Sequence, residues 1–340
     1  MFLTEANVLH YLIDRRFAGL DTVVDGDFEV RSLSHRNRCL RITCGSREYL
    51  VKQPSVWNRG RRANLAREAA LYWQGKTDSA FAALMPQCWS WDPGNSILIL
   101  EFLPGYTDLY SSPARLAPSI ATLAGQAMGK FHEASSRESH EREFPGEIPW
   151  FVSMHELREG DLPDLNPARR ELLKVVKKHD EFAAEMDRLR EQWQPSSLIH
   201  SDWKLANCLI SPDRSRLSLV DWEFAGWGDP YWDAGTMLQS YWSFWVRWPS
   251  RHSVDEVCPV LRAFLSAWAR TRGLSLFDCA STAVRFAAIR MLQTAWEVLD
   301  KSDEISAEAV RLTQASLNIL TRTGWAMGQL LGVGAACARN

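Results

Sequence analysis

The sequence predicts an α+β protein of two lobes, a small antiparallel sheet followed by a larger, mainly helical part. Three observations carry that expectation. The chain has 340 residues, 46% of them hydrophobic, which is enough to bury more than one core. Between residues 28 and 53, short apolar or alternating stretches are separated by polar turns, the pattern of a half-buried sheet. From residue 114 onward apolar positions recur mainly at helical spacing. No internal repeat or low-complexity tail alters this reading.

Taken in order, residues 1–19 form an N-terminal helix, 20–104 the sheet lobe and 105–330 the helical lobe. Leu3, Val8, Leu9, Leu12 and Ile13 give the first helix its apolar face. Charges interrupt that opening stretch, so it lacks a secretory apolar region. No later run is long enough for a confident membrane span, and a soluble, cytoplasmic protein is expected. Strands follow at 28–33, 39–44 and 49–53, with Lys52 near the end of the third. Glu68 sits in RRANLAREAALYW, a strong helix former. The run from Ser96 to Leu103 reads as a buried strand ended by Pro104-Gly105.

The second lobe begins with a core helix over 114–134, where His132 is structural, then a looped excursion over 144–164 with a short helix near Trp150. A charged helical pattern over 168–193 predicts one solvated helix with an apolar packing face. After residue 235 come the aromatic-rich TMLQSYWSFWVRW and helices near 254–272, 280–299 and 305–325. With 39 basic and 41 acidic side chains, the chain lacks the excess positive charge of a nonspecific nucleic-acid coat. Its seven cysteines form no close metal-binding array, and reduced thiols are expected.

Most of the chemistry is concentrated in SLIHSDWKLANCLISPDRSRLSLVDWEFAGWGDPYWDAG, residues 197–235. His200-Ser201-Asp202, Asn207 and Asp221 supply a polar loop, an amide one turn along and a carboxylate after a second apolar strand. Phosphoryl transfer from ATP needs that set, because positioning and charge neutralisation dominate its catalysis. Asp202 is the candidate acceptor-orienting base, and Lys204 beside it can offset phosphate charge. Asn207 and Asp221 offer hard oxygen atoms to Mg2+. Such chemistry also uses a strand lysine to hold nontransferred phosphates and a helix glutamate to orient it, the roles open to Lys52 and Glu68.

HSDWKLAN followed by VDWEFAGWGDPYWDAG resembles the catalytic and metal-binding segments of the aminoglycoside phosphotransferase and choline kinase-like superfamily, whose fold is similar to that of protein kinases. The resemblance implies a bilobal kinase-like fold with Asp202 as catalytic carboxylate, Asn207 and Asp221 on the metal, and Asp233 bracing the catalytic loop. It places Ser34 to Asn37 in a phosphate-covering loop, here without its usual glycine, and Glu101, Phe102 and Leu103 at the adenine hinge. Ser201 replaces the common loop glycine, and Glu223 is an additional carboxylate near the metal segment.

These implications give an ATP-dependent phosphotransferase, with GTP as the alternative nucleotide, acting on a hydroxyl-bearing small molecule. The alternatives are a serine or threonine kinase acting on a peptide in natural-product biosynthesis, and a catalytically weak nucleotide-binding regulatory protein. Residues 234–253 contain no Asp or Glu but include Arg247, Arg251 and His252, which argues against a polycationic acceptor. The aromatics between Trp227 and Trp248 are read either as an acceptor wall or as ordinary core.

Overall fold

The computed structural model describes residues 1–33, 37–56, 58–162 and 165–333. It has two compact units that are not consecutive in sequence. One comprises the described residues of Met1–Thr107 together with Cys208–Phe224, the other Asp108–Asn207 and the described residues from Ala225 onward. The sequence reading divides the chain at 19 and 104, whereas here α1 (Val8–Asp14) contributes to the sheet core and Cys208–Phe224 groups with the sheet.

The first unit is built on five antiparallel strands, β1 (Phe28–Ser32), β2 (Arg38–Cys44), β3 (Arg47–Gln53), β4 (Cys88–Asp92) and β5 (Ile97–Glu101), in the order β1-β2-β3-β5-β4. Alternation decides which side chains face which layer. Leu40 and Ile42 of β2, Tyr49 and Val51 of β3, and Ile97 and Ile99 of β5 share a core with Leu3, Val8 and Leu12. Lys52 lies opposite Leu98 and Cys39, and so projects from the other face.

The helix Arg59–Gln74 begins where the Asn58 side chain accepts the Arg61 N–H at 2.8 Å, satisfying one of the free donors at its start. It buries Leu65, Glu68, Ala69, Leu71 and Tyr72. A short hairpin of Cys208–Ile210 and Leu217–Leu219 completes the unit, and the Leu219 N–H donates to the Leu84 carbonyl at 2.7 Å.

The second unit is mainly helical, with an antiparallel pair of short strands, Ser197–Ile199 and Gly226–Gly228. The expected 168–193 helix is two helices, Pro167–Lys178 and Asp180–Glu191, broken at His179. The charges explain the break: Lys177 and Lys178 suit a helix C-terminus, Asp180 and Glu181 an N-terminus. Likewise 305–325 divides into Ala307–Thr321 and Thr323–Leu331 around Arg322.

The central helix Pro230–Arg247 is buried nearly all round. Its start has proline in the first turn and the Asp229 carboxylate accepting the Tyr231 N–H at 2.9 Å. Gly235 on this helix admits Leu276–Val298 closely: a Cβ there would stand 2.8 Å from Ala287 N and 2.9 Å from Ala283 O.

Candidate active site

In the sheet unit, Lys52 is 5% exposed and lies between two carboxylates. Its Nζ donates to Glu68 Oε2 at 2.7 Å, Glu68 Oε1 at 3.0 Å and Asp221 Oδ1 at 2.5 Å. Burial alone would pull the lysine pKa down, but Glu68 and Asp221 hold it well above its ordinary value. Glu68 is pushed up to about 7, because its burial outweighs the attraction of Lys52 and Asp221 adds a like charge. The expected pairing of Lys52 with Glu68 is thus present, and Asp221 joins it. Asp221 has φ of 69°, a left-handed conformation that non-glycine residues adopt at a cost.

Asn37 Nδ2 donates to Glu223 Oε2 at 3.3 Å, tying the remaining described part of the expected phosphate loop to the segment after Asp221. Ser34 lies outside the described residues. At the expected hinge, the Glu101 N–H donates to Gln87 O at 2.8 Å and the Phe102 N–H to Glu48 O at 3.2 Å. Glu101 and Leu103 line a cavity of about 720 Å³ with Tyr72, Met85, Arg216 and Ser218. Phe102 has a different setting, its ring lying 4.4 Å from the Arg41 guanidinium. Of these three backbone donors, Leu103 N–H is the one left without a hydrogen bond among the described residues.

In the helical unit, Asp202 is bracketed by cations. Lys204 Nζ donates to its Oδ2 at 2.6 Å and Arg290 to its Oδ1 at 2.9 Å. Burial would raise the Asp202 pKa, but Lys204 and Arg290 carry it below its ordinary value. Asn207 Nδ2 donates to the Asp202 carbonyl at 2.9 Å and to Oδ2 at 3.2 Å, which leaves its side-chain oxygen as the atom it can offer a cation.

Asp233 fixes the loop that carries Asp202. It accepts the His200 and Ser201 N–H groups at 2.7 and 2.9 Å, and its Oδ2 lies 3.1 Å from His132 Nε2. His132 Nδ1 in turn accepts the Trp268 indole N–H at 3.1 Å, which fixes its tautomer. Burial lowers the His132 pKa against the opposing pull of Asp233, in keeping with the unprotonated Nδ1 that accepts from Trp268. Ser201 has φ of 67°, the left-handed turn for which a glycine would be free of strain.

Arg290 was absent from the sequence reading. Its only signal was the second of two arginines in AVRFAAIRMLQTAW, set among Ala, Ile, Met and Leu, since a charge in an apolar helical run has to find a partner. Part of the aromatic stretch fits the core alternative. Trp232, Tyr241 and Trp242 are fully buried, as core side chains are. Arg247 pairs with Glu308 at 2.5 Å, so the acid missing between 234 and 253 comes from a later helix.

The family model described as "Phosphotransferase enzyme family" matches residues 30–274. No curated protein matches the chain. Among solved structures, the chain is similar to an ethanolamine kinase of Plasmodium vivax at 15% identity and TM-score 0.64, covering 95% of this chain and 91% of that one. It is similar to the choline kinase LicA of Streptococcus pneumoniae at 16% identity and TM-score 0.55, covering 92% and 99%. A third similar structure is an ADP-bound aminoglycoside phosphotransferase, at 15% identity and TM-score 0.54, covering 93% and 99%. At these identities the likeness establishes the kinase-like fold. Among the described residues no helix is long and apolar enough to cross a membrane.

Proposed function

We propose, for a chain that belongs to the phosphotransferase enzyme family and is an ATP-dependent kinase with an alcohol group as acceptor, that it moves the γ-phosphoryl group of ATP to a hydroxyl of a small molecule with the help of Mg2+. The observation that carries this reading is Lys52, buried and held between Glu68 and Asp221. A buried strand lysine fixed by a helix glutamate is the phosphate anchor that kinase-like phosphoryl transfer uses.

Each of the two proposed ligands offers an atom that suits a hard divalent cation. Asp221 offers a carboxylate that stays 36% exposed despite its pairing with Lys52, and Asn207 offers its side-chain oxygen. Magnesium held by them would supply positive charge against the phosphates. Lys52, oriented by Glu68, binds the nontransferred phosphates. Asp202 accepts a hydrogen bond from the acceptor hydroxyl. Because Lys204 and Arg290 engage its two oxygens, it serves more to aim the hydroxyl than to strip its proton early, as suits a loose transition state. Lys204 is placed to offset charge on the transferring group.

The test combines an acceptor screen with one variant. Purified protein, magnesium and ATP are incubated with separate pools of aminoglycosides, other hydroxyl metabolites and peptides containing serine or threonine, and products are resolved by mass. A small molecule gaining one phosphoryl group is expected. Asp202→Asn should slow single-turnover transfer by about 10²–10⁴-fold while nucleotide binding persists. Undiminished transfer by Asp202→Asn at saturating substrates would remove its assigned role, and labelling confined to peptides would replace the small-molecule reading.

A further inference from the structure

The aromatic stretch, part buried and part half-exposed, leaves the acceptor's charge class open, and a different residue bears on it. Arg290 is 3% exposed on the helix Leu276–Val298. It reaches Asp202 because Gly235 lets that helix approach Pro230–Arg247 so closely, and its guanidinium also lies 5.7 Å from the Trp232 ring. Asp202 itself keeps 13% of its side chain exposed, so it is the member of the pair that a substrate can touch. The carboxylate that would greet an acceptor is therefore already neutralised from behind by Arg290 and flanked by Lys204.

We propose that Arg290 sets the acceptor's charge class, directing this kinase to hydroxyl compounds that are neutral or anionic near the reacting group and away from cationic amino alcohols. The proposal rests on Asp202 receiving the acceptor hydroxyl, as above. An unpaired aspartate would attract an ammonium group a few atoms from the hydroxyl. With Arg290 and Lys204 on its two oxygens, the local charge is positive by one unit. A like charge within about 5 Å costs on the order of a hundredfold in binding at an effective dielectric of about 20. Solvent screening at Lys204, which is 35% exposed, reduces that to about tenfold or more.

The test compares acceptors built on one short scaffold: an amino alcohol, the matching diol and the matching hydroxy acid. The wild type should give kcat/KM for the diol or hydroxy acid at least about tenfold above the amino alcohol. Arg290→Met should move that ratio toward the amino alcohol by a similar factor, with ATP affinity retained, and Arg290→Lys should keep the wild-type order. Preference of the wild type for the amino alcohol would overturn the inference while leaving the kinase reading intact. So would an Arg290→Met variant that slows all three acceptors by one factor, since a purely structural role predicts that. Absence of transfer to every acceptor, in these and the pooled assays, would overturn the kinase reading and this inference together. The wild-type ranking needs no variant to fold, and thermal unfolding of Arg290→Lys and Arg290→Met identifies any loss due to misfolding.

Discussion

Lys52 lies between two carboxylates in the sheet unit, whereas Asp202 lies between two cations in the helical unit. Both centres use a charge with a partner on each side, but their ionised forms carry opposite net charge, one negative and the other positive. A centre short of positive charge suits a divalent cation and holds its lysine protonated. A centre rich in positive charge favours its ionised carboxylate and fixes its direction, and it is on this that the proposed discrimination against a cationic acceptor rests. The supports also differ. Lys52 is held by a strand and a helix, and Asp202 stands on a loop kept in place by Asp233, His132 and Trp268.

The largest effect on this contrast comes from removing the lone cation. Lys52→Met leaves Glu68 buried beside Asp221 with no counter-charge, a loss of about 3–5 kcal/mol when a buried pair is broken. Uptake of a proton by Glu68, whose pKa already stands at about 7, reduces that cost. Weakened magnesium-ATP binding in a nucleotide titration and a lowered Tm are expected, with a smaller loss of affinity for Glu68→Gln. If neither change alters nucleotide affinity, the two residues form a structural ion pair only.

A smaller effect separates the loop's brace from its charge. His132 is buried with its pKa lowered from 6.5. Its contribution to stability is therefore present above 6.5 and is lost as the pH falls through the depressed folded value. His132→Gln can still donate to Asp233 and accept from Trp268 but cannot take up a proton. Denaturant unfolding across pH should show the wild type losing stability relative to this variant on the acid side of 6.5. Parallel profiles would mean that His132 does not titrate with folding.

The smallest expected effect is at Ser201. Ser201→Gly relieves a left-handed backbone at φ 67°, worth roughly 1 kcal/mol, against an unfolded-state entropy cost of about 0.4–1 kcal/mol. The balance predicts a Tm within a few degrees of the wild type and unchanged acceptor preference. A large loss would show that the serine side chain, rather than the turn, holds the loop.

Sequence alone determined the strands within 28–53 and 96–103 and the sheet-then-helix plan, and nominated Lys52, Glu68, Asp202, Asn207 and Asp221, because alternation, helical spacing and the compact motif at 200–233 are local properties of the chain, but it did not reveal β4 at Cys88–Asp92. The break at His179 was equally local, written in the charges on either side of it. Tertiary structure decided what depends on distant partners. It placed Asp221 on Lys52 across 169 residues and Arg290 on Asp202 across 88. It also buried Trp232 and Trp242 and gave Arg247 its acid from Glu308. A charge's meaning is set by what stands within a few ångströms of it, and the close approach of two helices at Gly235 sets that distance for Arg290.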